Sequence, residues 1–222
     1  MASGGLGDVA GSLPVALRKR LIGCRVVMPL YDGIKQEFKD QMKFITSISV
    51  PVSWRRQYCG IFEAKANGVI YYFLDNQYYF KRDGIYGHYD DAERFAFFAR
   101  AVLEIIPAID WKPDIIHCND WQSALTPLYY SCYYANRMGY ENIKTVFTIH
   151  NIQYQGTYKA IAAFLGTGLT CFATLISLRV TLSAHAADLP AAHLLRLHRY
   201  FHSRPMLSPC VPTVLFICGT GI

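Results

Sequence analysis

An α/β fold, with a parallel sheet covered on both faces, is what this 222-residue sequence predicts. Three observations carry that prediction. Short apolar runs recur at residues 24–30 (CRVVMPL), 114–118 (DIIHC) and 144–149 (KTVFTI), each the length of a buried strand. Helical stretches separate them, and short strands alternating with helices fold into a parallel sheet. Apolar residues make up 52% of the chain and charged residues 17%, enough to build one sizeable core.

Taken in order, the chain opens on Ser3-Gly4-Gly5-Leu6-Gly7-Asp8-Val9 and an apolar stretch that ends in Arg18-Lys19-Arg20. A glycine turn feeding a helix start lets a bulky anion approach and presents unpaired N–H groups to it. Residues 33–42 are polar with a helical tendency. Residues 44–52 alternate, as a strand with one covered face does. Residues 60–65 and 69–74 are separated by Asn67-Gly68, a hairpin signal because both residues tolerate positive φ. The loop 75–87 is rich in tyrosine and charge and suits either packing or a hydroxylated ligand. Asp90, Asp91 and Glu93 are expected to cap the next helix and complement its dipole. Along that helix Phe95, Phe98, Ala99, Val102 and Ile106 keep a three-to-four spacing that buries one face. After the strand at 114–118, a long helix is expected from Trp121 to Met138.

Composition excludes several functions. Residues 1–156 carry 17 Lys/Arg against 15 Asp/Glu and no basic stripe, so no nucleic-acid partner is expected. The seven cysteines (24, 59, 118, 132, 171, 210, 218) include no CxxC pair and read as reduced thiols, not a disulfide frame or zinc site. No metal is expected, because His117, Cys118 and Asp120 stand too close along the chain to converge. No secretory signal opens the chain.

In open α/β sheets the ligand sits beyond the carboxyl ends of the strands. His117, Asp120, His150 and Asn151 fall at or just past two such ends. Two histidines with an Asp and an Asn at equivalent places form the best candidate site that residue types alone provide.

The stretches GGLGDVAGSLPVAL, RVVMPLY, YYFKRDGIYGHYDDAERFAFFARAVLE, PDIIHCNDWQSAL and TIHNIQYQG also occur here in one order and spacing. Together they resemble the N-terminal domain of bacterial glycogen synthases and plant starch synthases, over residues 3–156. The resemblance implies a Rossmann-like domain forming the N-terminal half of a GT-B fold. It implies a retaining glucosyltransferase that moves glucose from ADP-glucose, or sometimes UDP-glucose, to the non-reducing end of an α-1,4-glucan, with no cofactor or metal. By motif, Gly4 and Gly5 would lie against the diphosphate and Asp8 would face the acceptor. Asp120 would order the glucosyl and acceptor site, with His150 at the donor glucose and Asn151 beside it. Tyr78 and Tyr79 would stack on glucan. The resemblance places such an enzyme in the bacterial cytoplasm, or in a plastid if the source is a plant.

Three departures accompany the likeness. A strand and a Lys precede the glycine loop in the family, whereas here the chain starts at Met1 with Ala2 in the place of that Lys. The missing strand is normally central, so its loss is expected to expose apolar edges. Past Gly156 the likeness stops: residues 157–222 contain no Glu, Asn, Gln or Trp and are expected to be irregular or loosely helical. Residues 160–178 carry no charge, yet their Gly and Thr argue against a membrane span. The chain is therefore expected to be a fragment, inactive alone, with a non-catalytic glucan-binding remnant as the alternative. A dinucleotide-binding domain is the weakest reading, since GGLGD is not G-x-G-x-x-G after a strand.

Overall fold

A computed structural model describes residues 5–150 and 213–219. The first helix, α1 (Gly5–Lys19), leads through a short turn into β1 (Gly23–Pro29). One helical turn, α2 (Gln36–Lys39), is all that forms in the polar stretch 33–42. The strands β2 (Lys43–Val52), β3 (Arg55–Ala66) and β4 (Val69–Asp75) follow. Ala66 pairs directly with Val69, so Asn67 and Gly68 alone make the β3–β4 turn. Their φ angles of 51° and 77° are those of the primed hairpin turn that the dipeptide predicts.

A short helix, α3 (Gln77–Phe80), precedes the main helix α4 (Asp91–Glu104). Then come β5 (Ile115–Asn119), α5 (Leu125–Tyr129), β6 (Lys144–Thr148) and β7 (Leu215–Gly219). The long helix expected from Trp121 to Met138 is broken into three pieces. A 3₁₀ turn at Trp121–Ser123 precedes α5, and a π-helical turn at Tyr130–Tyr134 follows it. Ser123 contributes to the break, its hydroxyl donating to the carbonyls of Asn119 and Asp120 in place of a regular helix start.

Among the described residues the strands form one sheet in the order β2-β3-β4-β1-β7-β5-β6. β1 runs parallel to β4 and β5 parallel to β6, while β7 lies antiparallel between β1 and β5. The sheet is thus mixed, with parallel pairs on both sides of an inverted middle strand. Of residues 157–222, expected to be irregular or loosely helical, only 213–219 are among the described residues, and 215–219 of these are extended. The edge of β1 on that side, expected to be exposed, is paired with β7. An unbroken apolar strand suits a site covered on both faces.

Both faces of the centre are covered. Val26, Val214 and Phe216 pack under Val9, Leu13 and Leu17 of α1. Val27, Leu215, Ile217, Ile116 and Cys118 face a second core with Phe97, Phe98, Val102 and Leu103 of α4. Leu215, Phe216 and Ile217 are fully buried, each worth about 1.5–3 kcal/mol by removal from water.

Candidate active site

The Arg18 guanidinium donates to the carbonyl of Gly68, 2.6 Å away, at the start of β4. The carboxyl-terminal end of α1 therefore sits at the amino end of the parallel pair β1 and β4. Its opening turn, with Gly5 and the exposed Asp8, lies toward the other rim, where these strands end. Because β7 inverts between them, β1 and β5 point the same way, so β5 and β6 end at that rim too. Topology thus gathers α1's N-terminus, the loop after β4 and the residues following β5 and β6 along one edge. Gly4 and Asn151 lie outside the described residues.

At the end of β5 the chain turns sharply. Asp120 has φ 57° and ψ 177°, a conformation that glycine adopts freely and other residues rarely do. The turn is held from both sides: the N–H of Asp120 donates to the carbonyl of Thr148 at 2.9 Å, and its Oδ1 accepts the N–H of His150 at 2.7 Å. The ends of β5 and β6 are thereby tied together. The His150 ring is fixed as well, its Nε2 lying 2.9 Å from Oδ1 of Asn119. Asn119 donates through Nδ2 to the carbonyls of His117 and Val214, at 3.4 and 3.3 Å, so its Oδ1 is the acceptor and Nε2 of His150 the donor. This leaves a buried amide orienting an imidazole at a strained turn.

His117 sits beneath, its Nε2 2.8 Å from Oγ1 of Thr148 and its ring against Phe216. Burial, with a smaller effect of the neighbouring His150, lowers its pKa below the ordinary 6.5. Burial thus favours its uncharged form. Among the described residues no group of three His, Cys, Asp or Glu side chains could hold a metal ion.

The loop after β4 is built on a buried ion pair. Arg94 is 0% exposed and bonds Asp91, while donating to the carbonyls of Tyr79 at 2.7 Å and Ile85 at 3.3 Å. Asp91 in turn accepts the N–H groups of Gly87 and His88, at 2.6 and 3.2 Å. The acids at the head of α4 thus do more than complement a dipole. Asp90 makes no side-chain cap bond and forms a two-pronged pair with Arg82 at 2.6 and 2.8 Å. Burial works against its charge, but the Arg82 hydrogen bonds and charge win and hold its carboxyl below the usual range.

Tyr78 and Tyr79 part company on this loop. Tyr78 is 59% exposed, whereas Tyr79 is fully buried with its hydroxyl on Glu93. The expectation that Tyr79 stacks on a ligand is corrected, since its faces are taken by Phe80 and Phe97. Its ring instead meets Tyr78 edge-on, with centroids 5.0 Å apart, and supports it from below. Two features here leave no clear mark in the sequence. Asn119 had no signal beyond its place beside Asp120, and the Asp91–Arg94 pair was hidden because three-apart charges look like any exposed helix pair.

Residues 1–179 match the starch synthase catalytic domain family. The glycogen synthase of Geobacillus thermodenitrificans is 54% identical over 156 residues, which cover 70% of this chain and 32% of that protein. The glycogen synthase of Clostridium botulinum (strain Alaska E43 / Type E3) is 55% identical over 160 residues, covering 72% and 34%. Among solved structures, the catalytic domain of starch synthase IV from Arabidopsis thaliana, bound to ADP and acarbose, is similar with a TM-score of 0.65 and 33% identity, over 74% of this chain and 34% of that one. The chain spans about a third of the length of the curated relatives it matches. With six of the sheet's seven described strands, the glycine-led helix and the Asp120–His150 turn inside the matched residues, the chain belongs to the starch synthase catalytic domain family.

Proposed function

We propose that this chain supplies one wall of a retaining glucosyltransferase that transfers glucose from ADP-glucose to the non-reducing end of an α-1,4-glucan. The observation that carries the reading is the Asp120–His150 hydrogen bond, which brings a carboxylate and the backbone of a histidine together at the rim of an α/β sheet where ligands bind. In this reading Gly4 and Gly5 approach the diphosphate, and the α1 N-terminus offers it N–H groups and positive potential. Asp8 faces the acceptor. Asp120 orders the glucosyl site, and His150, with Asn151 beside it, holds the donor glucose as positive charge develops on the sugar. Tyr78, exposed on the loop that follows β4, offers a flat face to glucan. No metal and no cofactor enters the scheme. The similar Arabidopsis structure, bound to ADP and acarbose, carries ligands of the two classes this reading requires.

The place of action is the cytoplasm or plastid, where nucleotide sugars meet glucan. Among the described residues no helix is long and apolar enough to cross a membrane.

One wall does not make a cleft, so the 222-residue polypeptide assayed by itself is expected to bind ligand but transfer little glucose. Saturation-transfer NMR with ADP-glucose, UDP-glucose and maltoheptaose, beside a radiolabelled transfer assay, tests both statements. ADP-glucose binding that weakens in Asp120→Ala supports the donor site. Maltoheptaose binding alone favours a glucan-binding module, and silence toward all three ligands overturns the assignment. Measurable elongation overturns the one-wall statement.

A further inference from the structure

Cys24 and Cys218 stand directly opposite each other on β1 and β7, with their sulfurs 3.4 Å apart. Both are buried under α1, at 7% and 8% exposure, among Val26, Val69, Val214 and Phe216. Opposed residues of an antiparallel pair have Cα atoms about 4.5–5.5 Å apart, inside the range of about 4.4–6.8 Å that a disulfide bridges. Cys24 is the second residue of β1 and Cys218 the second-last of β7. The pair therefore lies at the far end of the sheet from Asp120 and His150. One thiol donates to the other across the pair. A thiolate at Cys218 accepts a hydrogen bond from the Cys24 thiol, which eases proton loss from Cys218, while that bond and burial hold the proton on Cys24. One sulfur of the two is thus the better nucleophile.

We propose that Cys24 and Cys218 are a redox pair which, on two-electron oxidation by a peroxide, forms a cross-strand disulfide that fastens β7 into the middle of the sheet. A thiolate sulfur attacks one peroxide oxygen, the O–O bond breaks, and the departing hydroxide takes up a proton to become water. The sulfenic acid left behind is attacked by the second thiol, which forms the S–S bond and releases a second water. Two thiols and one peroxide thus give one disulfide and two waters. A dithiol reductant reverses the change by thiol–disulfide exchange. Among the described cysteines Cys59 and Cys118 are buried and Cys132 is exposed. Cys132 therefore reports general oxidation, whereas the opposed pair reports the clamp.

The test treats the full chain with hydrogen peroxide and maps its peptides without reduction. The expected product links the peptide bearing Cys24 to the one bearing Cys218, with fragmentation separating Cys218 from Cys210. Hydrogen exchange at Phe216 and Ile217 is then expected to slow at least tenfold in the oxidised protein and to recover with dithiothreitol. Cys218→Ser should abolish both the link and the slowing. Because the readout compares two redox forms of the unaltered chain, a variant that fails to fold does not decide the matter. Cys24 and Cys218 remaining as thiols while Cys132 is oxidised overturns the proposal. So does a disulfide that leaves exchange at β7 unchanged.

Discussion

Oδ1 of Asp120 accepts the backbone N–H of His150 at 2.7 Å, across 30 residues of chain, and joins the exits of two neighbouring strands. The bond belongs to a residue held at φ 57°, so its carboxylate and its backbone pull in opposite directions. A charge-assisted hydrogen bond is worth about 1.5–3 kcal/mol, and a non-glycine residue in that region costs about 1–3 kcal/mol. Asp120→Ala loses the bond and keeps the strain, for an expected loss of about 2 kcal/mol. Asp120→Gly loses the bond but relieves the strain and should unfold within about 1 kcal/mol of the parent. Asp120→Asn keeps an acceptor and should fall between them. Urea denaturation of the three variants checks the order, and an alanine variant as stable as the glycine one would refute it.

Arg94→Met strands the Asp91 carboxylate in the interior. Breaking a buried pair from one side costs about 3–5 kcal/mol. The double variant Arg94→Met/Asp91→Leu should recover part of that loss, though Gly87 and His88 then lose their acceptor. Thermal unfolding of the single and double variants measures the difference. Proteolysis within residues 81–90 should rise in both.

The tyrosines of the loop separate binding from stability. Tyr78→Ala removes an exposed ring and should leave the unfolding midpoint within about 0.5 kcal/mol of the parent, while weakening maltoheptaose binding several-fold. Tyr79→Phe deprives Glu93 of a buried donor, at a cost of about 1–2 kcal/mol, and should leave glucan affinity nearly unchanged. Calorimetric titration with unfolding curves on both variants tells them apart. The reverse pattern would remove Tyr78 from the binding face.

The middle strand can be probed from its core side chains and from its end. Phe216→Ala empties a fully buried site against His117, for a loss of about 3–5 kcal/mol. At Gly219 an added Cβ would meet Cζ2 of Trp111 at 2.9 Å and the Lys112 carbonyl oxygen at 3.3 Å. Gly219→Ala should therefore cost about 1–3 kcal/mol by overpacking. Both are read from denaturant midpoints, and a neutral Phe216→Ala would show that β7 does not sit in the sheet.

Burial lowers the pKa of His117 below its ordinary 6.5, so the unfolded chain binds that proton more readily than the folded one. Its contribution is complete above about pH 7 and is lost as the pH falls through 6.5 toward the lower folded-state value. The melting temperature should decline between pH 7 and pH 5. His117→Gln retains a hydrogen-bonding group for Thr148 but cannot titrate, so its decline over the same window should be shallower. Parallel slopes would place the sensitivity elsewhere.

Local chemistry made much of this fold legible. Asn67-Gly68 announced its hairpin because both residues tolerate the positive φ a two-residue turn demands. The strand at 144–149 and the helix of Phe95, Phe98 and Val102 followed from periodicity. At the candidate site, the closeness of Asp120 and His150 could be expected from their places just past two apolar runs. What joins them was not legible, because a hydrogen bond between side chain and distant backbone leaves no trace in spacing. The burial of Tyr79 beside an exposed Tyr78 was equally hidden, since adjacent residues of one type look alike until the loop is folded. The strand LFICG was the largest omission. A five-residue apolar run signals burial, but its partners Val26 and Ile116 lie 190 and 101 positions upstream of Phe216 and Ile217.

That distance has a consequence for how the molecule is assembled. β4 and β1 on one flank, and β5 and β6 on the other, can pair as soon as they exist. Among the described residues, neither flank touches the other through backbone hydrogen bonds except by way of residues 215–219 between them. Closing so long a loop is slow, so a nascent chain holds two half-sheets whose facing edges are bare and ready to pair with any extended peptide. Chaperones that mask strand edges, and neighbouring copies that could donate a β7 of their own, compete for that opening while synthesis continues.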